Sequence, residues 1–480
     1  MRPSPLRLLS TDELRTIHDG ALRILERTGM VVDHDRALEI LAGAGATVEA
    51  STRRVRFPPD LVEACLAQVP RSLTYHGREA AFDITIAVDS DICARVLGGA
   101  INYVDLETGA NRRARIADWR EFATLVDALP NINLVATLHC GDVPARTADV
   151  HSVRTLLEAQ RKCVVHNAFS AESQRVIYEM LVAVAGSREA LAARPFMHQQ
   201  ASVISPLFLN QDDVEQILVA CEFGIPLDLP LMSIVGISSP ITLAGTLAQT
   251  SAEYLGTVVL AQVARPGHPM AYFVDPVVGD MRTGAAVFAA PETALLVAAI
   301  TQLGSELYGL PTQAIGLDSD GFSIAQTMLQ KAQMLAFQVL SGGKHVVGAG
   351  SVESCMALSP LQLVIDDELM AIARRWLRGI VVSEETLALD VIDRVGPRGN
   401  FLADEHTVEN LRSGELAPFP LSERESRQAW EVTGMRTVET RARDRARAIL
   451  ATHEVPPLPD DVLRELAAIT DRADGMLSGG

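Results

Sequence analysis

The chain has 480 residues, 48% hydrophobic and 21% charged, enough apolar material for a large ordered core. Lys and Arg number 42 against 60 Asp and Glu, a formal charge of −18 that repels phosphate backbones and argues against general nucleic-acid binding. Aromatic residues at 5% argue against a broad base-stacking surface, and no stretch is apolar over the ~18 residues a membrane span requires.

In chain order, the first part predicts helices around a small strand pair. Ser10-Thr11-Asp12-Glu13 is a capping box, followed by Leu14, Ile17, Ala21 and Leu25 at helical spacing. The leader Met1–Pro5 has no signal-peptide core. Asp33–Leu41 predicts a second helix, Val48–Phe57 alternates as a strand, and Pro58-Pro59 opens a helix to Leu66. Residues 96–116 predict a hairpin turning at Glu107-Thr108-Gly109, its return arm carrying Arg112–Arg115, expected at a solvated edge. Asp118–Leu129 is helical.

From about Asn131, short apolar runs alternate with helical stretches. The strands predicted are Asn133–His139, Cys163–Phe169, Met197–Ile204, Leu231–Gly236, Met270–Asp275, Thr312–Leu317 and His345–Gly350. The helices between them include Asp213–Cys221, Thr246–Val263, Ala294–Leu307 and Ile324–Leu340. Seven continuous apolar strands argue for a parallel sheet covered on both faces. Ala94–Val104 supplies an eighth, which a closed (β/α)8 TIM-type barrel needs; an open doubly wound sheet is the competing topology. The expected organisation is N-terminal helices and hairpin over 1–130, a barrel over 131–380, and a C-terminal helical part over 381–470 with a helix at Arg424–His453. A disordered tail is expected over 471–480.

The six cysteines, Cys65, Cys93, Cys140, Cys163, Cys221 and Cys355, stand singly, which suits a reducing compartment and predicts a cytoplasmic protein. Gly98-Gly99 and Gly342-Gly343 follow no nucleotide-binding spacing. His139, His166, His198 and His345, with Cys140, Cys163 and Cys355 nearby, fall near predicted strand ends. They are core residues, or they make the zinc site of a barrel methyltransferase or lyase. The helix after Ser238-Ser239-Pro240 either packs closely through Gly245 and Ala248 or turns free N–H groups toward an anion. Tyr272-Phe273-Val274-Asp275 ends a strand with aromatic and acidic residues together. Strand alternation lets one of Tyr272 and Phe273 face the barrel interior.

The Gly99–Gly109 hairpin, Ser205-Pro206-Leu207, Pro240–Gly245, Ala252-Glu253, Pro266-Gly267 and Asp280–Gly284 with Pro291-Glu292 stand in a characteristic order. Gly309-Leu310-Pro311, the glycine loop Val346–Cys355, Ser359-Pro360, Asp366-Asp367-Glu368 and His406-Thr407 continue it. In that order and spacing the chain resembles the trimethylamine methyltransferase family over nearly its whole length. The resemblance implies a β/α barrel that passes a methyl group from an amine or betaine to the cobalt(I) of a cobalamin-type corrinoid carried on a partner protein. The trimethylamine branch carries pyrrolysine, and Ser351–Cys355 here reads through with ordinary residues. A quaternary ammonium leaves as a neutral amine with little electrophilic help, so the implied substrate is a betaine-like quaternary amine such as glycine betaine. The segment Asp318–Phe322 with Ala325-Gln326 and Gln330-Lys331 departs from the family pattern.

A quaternary ammonium donates no hydrogen bond, so π faces and diffuse negative charge must hold it. The expected site has Tyr272 or Phe273 with Phe322 as aromatic wall, and Asp275, Asp318 and Glu353 as negative charge. Gln313 or His345 would orient the other end, with Cys355 beside the substrate. Glu353 and His345 are the expected catalytic residues, with no metal. The expected assembly is a homo-oligomer with a corrinoid protein as partner and no nucleic acid. A non-catalytic betaine-binding relative is the remaining alternative.

Overall fold

Eight short parallel strands close into a barrel in the computed structural model, which describes residues 6–477; Met1–Pro5, read above as lacking a signal core, and Ser478–Gly480 lie outside the described residues. The strands are β1 (Cys93–Val96), β2 (Leu134–Ala136), β3 (Cys163–Asn167), β4 (Met197–Gln200), β5 (Leu227–Asp228), β6 (Met270–Phe273), β7 (Thr312–Ile315) and β8 (His345–Ala349). Each pairs in parallel with its neighbours, and β8 closes on β1 through Val347 opposite Arg95. Eight helices follow the strands in turn: α1 (Ile116–Ala128), α2 (Ala148–Ala159), α3 (Ala171–Ala185), α4 (Gln211–Phe223), α5 (Leu243–Ala264), α6 (Pro291–Gln302), α7 (Ile324–Leu340) and α8 (Pro360–Arg378). The chain is a (β/α)8 barrel.

Two expectations about the barrel move. The barrel begins at Cys93, inside the 1–130 segment, because the run Cys93–Val96 is fully buried despite its arginine. The fifth strand is Leu227–Asp228, whereas Leu231–Gly236 leaves the barrel and gives Ile234–Val235 to a small sheet with Val277–Gly279 and Ala286–Val287. Pro226 and Pro230 flank the true strand and give it the look of a loop.

α5 is apolar around its circumference and buried from Thr246 to Gln262 almost without interruption. The sequence reason is that it is covered twice: the barrel takes one face, and helices Thr11–Arg27 and Pro59–Gln68 take the other. The Ser10 side chain and Glu13 cap the first of these reciprocally. A hairpin of Ser72–Tyr75 and Ile84–Ala87 crosses the N-terminal end of the barrel. There Leu73, Tyr75 and Ile86 pack with Cys93, Leu134, Cys163, Val165 and Ala271. The Asn102–Val104/Asn111–Arg113 hairpin lies at the other end and pairs with Ala357–Leu358, extending to Ser351–Val352.

The expected helix Arg424–His453 is two: Arg427–Val432 and Val438–Thr452, broken where Gly434 and Met435 take positive φ. Val438–Thr452 packs on α8 and α1. Residues 471–477, expected to be disordered, continue the helix Asp460–Leu477, which packs on α3 and α2. Asp474 there meets Thr147 and His151. Disorder does not follow from the terminal position, because Leu466, Ile469 and Ala473 form a buried stripe.

Candidate active site

The C-terminal ends of the strands surround a cavity of about 400 Å³ whose lining comes from all eight strands or the loops after them. Strand alternation stacks the interior in layers, and the middle layer is the cavity floor. That floor contains Arg95 on β1, Asn167 on β3, Gln200 on β4, Phe273 on β6, Ile315 on β7 and Val347 on β8. Above it stand Ser202, Asp275, Asp318 and Cys355, and His139, Met232 and Met356 approach the rim.

Arg95 is 2% exposed, its guanidinium carbon 5.3 Å from the centre of the Phe273 ring. Asp275 accepts a hydrogen bond from the Ile315 N–H at 2.9 Å, and the Cys355 thiol donates to Asp318 Oδ1 at 3.3 Å. Burial raises both carboxyl groups above the ordinary aspartate range, Asp275 strongly, and the Asp318 charge pushes Asp275 further in the same direction. Burial raises the Cys355 thiol well above its ordinary value, so it is neutral and no activated nucleophile.

Glu353, Ser354 and Cys355 all have left-handed backbone, at φ 58°, 52° and 67°. The turn is held by Glu353 N–H to Gly321 O at 3.4 Å and by Ser354 N–H to Ser319 O at 2.9 Å. It aims Ser354 and Cys355 into the cavity. Asp320 steadies the neighbouring loop, accepting from Ser354 Oγ at 3.0 Å and from the N–H groups of Phe288 and Ala289 at 2.9 and 3.0 Å.

Of the residues expected from sequence, Phe273, Asp275, Asp318 and Cys355 come together. Tyr272 faces outward, edge-on to Tyr254 at 4.7 Å and Tyr308 at 5.4 Å. His345 and Gln313 lie below the floor, since each sits at or next to the start of its strand. The Tyr75 hydroxyl is 3.1 Å from His345 Nδ1, 3.4 Å from Gln313 Oε1 and 3.2 Å from Asp228 Oδ1. Burial, and then the charge of Arg95, depress the His345 imidazole to about 3, so it is neutral and structural in this closed layer. Phe322 is 86% exposed on the rim, and Glu353 is outside the cavity, bonded to Asn111. Arg112 is at the hairpin edge, paired with Asp118 at 2.6 Å. No group of three His, Cys, Asp or Glu side chains converges as a metal site among the described residues. The start of α5 does not line the cavity, and Thr246 there is bonded to Ser239 and the Pro240 carbonyl.

Arg95 is the residue that sequence reasoning missed. Its signal was present: one cation inside a strand otherwise apolar, in phase with Cys93 and three residues before a glycine pair.

A profile described as trimethylamine methyltransferase (MTTB) matches residues 2–476. A trimethylamine methyltransferase of Methanosarcina barkeri is 30% identical over 99% of this chain and 96% of its own. A glycine betaine methyltransferase of Desulfitobacterium hafniense is 28% identical over 96% of each. The solved monomethylamine methyltransferase of Methanosarcina barkeri shares the fold, with a TM-score of 0.54 over 92% of this chain and 94% of that one, at 13% identity. The chain therefore belongs to the trimethylamine methyltransferase family, and it is an enzyme of the methyltransferase class.

Proposed function

We propose that this methyltransferase moves a methyl group from a betaine-like quaternary amine to the cobalt(I) of a corrinoid presented by a separate protein. The observation that carries the reading is the cavity itself. It is a pocket at the barrel mouth that combines an aromatic ring with two buried carboxyl groups, both shifted upward by burial, and has no activated nucleophile of its own. Similarity to a glycine betaine methyltransferase supports the substrate class.

Asp275 and Asp318 would turn carboxyl oxygens toward the ammonium, and the walls would hold one N–CH3 bond toward the opening. Methyl transfer by displacement needs that alignment and a site without water. When bound, the corrinoid supplies the nucleophile that receives the methyl group. Its access is supported by an apolar collar on the mouth: Phe169, Ile204, Ile237, Met281, Phe322 and Met356 are exposed on the loops after β3, β4, β5, β6, β7 and β8. Large exposed apolar groups concentrated around one opening suit a partner that brings an apolar macrocycle.

The reading includes self-association and an intracellular location. Val382, Leu402, Leu416 and Val432 expose apolar surface on the C-terminal arm, and light scattering at micromolar concentration should find more than one chain per particle. All six cysteines are free, and no helix among the described residues is long and apolar enough to cross a membrane.

The test incubates the protein with a panel of quaternary amines and chemically reduced cobalamin, following methylcobalamin in the visible spectrum. Conversion with a quaternary amine is expected. Binding of the amine without conversion, including with corrinoid proteins supplied, would identify a binding protein; conversion only with tertiary amines would refute the substrate class.

A further inference from the structure

We infer that Arg95 forms a carboxylate subsite in the cavity floor, so that the substrate is a zwitterion bound acid end down with its methylated nitrogen toward the mouth. The inference rests on the reading of this cavity as a quaternary-amine site and adds the group that selects within that class.

A buried guanidinium is costly unless paired. Arg95 is 2% exposed, yet its Nε has no hydrogen-bond partner. None of the carboxyl groups whose charges reach it bonds to it, though Asp318 Oδ2 is itself without a hydrogen-bond partner. Asp275 holds the Ile315 N–H, Asp318 the Cys355 thiol, and Asp228 lies 3.2 Å from the Tyr75 hydroxyl and 3.5 Å from His198. None makes a direct ion pair with Arg95 among the described residues. What adjoins the guanidinium is the cavity.

The surroundings are shaped for a ligand there. Phe273 lies under the guanidinium and limits its rotation, leaving the fork to meet a planar anion. Gly98 keeps the approach open, since a Cβ at that position would stand 3.1 Å from Ala136 Cβ and 3.9 Å from Arg95 Nη1. The amides of Asn167 and Gln200 line the same floor and can donate to a second oxygen.

Charge balance points the same way. Asp228 is held low despite its burial, by His198 and by the Arg95 charge among others, so it offsets Arg95 within the barrel. Asp275 and Asp318 are shifted toward their neutral forms. A zwitterion adds no net charge to this dry interior, whereas choline adds one positive charge and a simple acid one negative charge.

Calorimetric binding is measured on wild type, Arg95→Lys and Arg95→Gln, with circular dichroism to verify folding. The ligands are glycine betaine, γ-butyrobetaine, carnitine, proline betaine, choline and the methyl ester of glycine betaine. Wild type should bind at least one of the four acids tenfold or more tighter than choline, and the ester should lose that advantage. Arg95→Lys, which keeps the charge but not the fork, should weaken the preferred acid by tenfold or more and leave choline unchanged. Should both variants fail to fold, the acid and ester of glycine betaine on wild type decide the matter. The inference falls if none of the four acids binds, if ester and acid bind alike, or if a folded Arg95→Lys keeps wild-type affinity for the acid. An acid that binds through Arg95 yet never methylates reduced cobalamin would overturn the proposed transfer and leave the subsite standing.

Discussion

Lys331 Nζ and Asp366 Oδ2 meet at 2.8 Å with both side chains fully buried, behind the loop that ends β8. Asp366 also accepts the Gly350 N–H at 2.7 Å and the Gln362 amide at 2.8 Å, while Lys331 reaches Gly348 O at 3.4 Å. The pair thus ties α7 and α8 to the backbone that carries Ser354 and Cys355. Lys331→Met should cost about 3–5 kcal/mol in denaturant unfolding, because Asp366 would be left buried without its cation. The double variant Lys331→Met with Asp366→Leu should recover part of that and retain about 1–3 kcal/mol of loss from the orphaned Gly350 N–H. A single variant as stable as wild type would show that the pair contributes little.

Gly348 has φ 108°, and a Cβ there would lie 2.6 Å from Asp318 Cγ, Asp318 N and Leu317 C. Gly348→Ala should therefore lower stability by about 1–3 kcal/mol and displace Asp318, reducing methyl transfer further than stability alone explains. Gly43→Ala, a helical position with open space around it, serves as control and should be neutral or stabilise by up to about 1 kcal/mol. Equal melting temperatures for both variants would contradict the close approach.

Two imidazoles should make the protein acid-sensitive. Burial lowers His166 and His345 to about 3, against about 6.5 in the unfolded chain. The unfolded state then binds the extra protons between those values, so stability is full above pH 6.5 and falls as pH drops toward 3. The slope is about 1.4 kcal/mol per pH unit for each histidine. His345→Gln should flatten the curve in that window, as read by urea unfolding at several pH values. An unchanged slope would mean that His345 is charged in the fold.

Asp275 has the opposite sign. Its raised value means that the folded state holds a proton the unfolded state releases, so this group costs stability as pH rises above about 4. Asp275→Asn keeps an acceptor for the Ile315 N–H and removes that cost. Its melting temperature should exceed wild type at pH 8 and converge with it near pH 4. A lower melting temperature at pH 8 would show that Asp275 is ionised and compensated.

Glu353→Gln should change methyl transfer by less than about threefold, because Glu353 contacts Asn111 at the rim and stays outside the cavity. Asp318→Asn should lower it by about tenfold or more, because Asp318 lines the cavity wall and accepts the Cys355 thiol there. Initial rates with saturating and limiting amine distinguish the two, and a large loss in Glu353→Gln alone would return Glu353 to the site.

The barrel was readable because most of its strands are short buried runs between helices, even though β4 (Met197-His198-Gln199-Gln200) and β7 (Thr312-Gln313-Ala314-Ile315) carry polar side chains. β5 escaped because Pro226, Asp228 and Pro230 carry the signals of a turn while its neighbours in space hold it as a strand. The site residues divided by position within the strand. Asp275, Asp318 and Cys355 follow their strands and reach the mouth, while Gln313 and His345 open theirs and fall into the closed end. Chain direction was available in the sequence and would have removed both. Tyr272 against Phe273 depended on the absolute phase of β6, which alternation alone leaves open.

The Tyr75 hairpin gives the barrel a sealed floor. Its ring stacks 4.1 Å from His198, and its hydroxyl bonds into the bottom layer, so the Tyr75 hairpin packs across the end of the barrel opposite the cavity mouth. On the proposed reading, substrate, departing amine and methyl acceptor would all use the mouth at the C-terminal ends of the strands. If the proposed corrinoid partner seats on the apolar collar, it would cover that mouth behind the substrate, and amine would have to enter first, with the demethylated product leaving after the partner lifts away. Turnover in such a vessel is ordered by traffic, and at high partner concentration the acceptor protein should itself slow the release of product.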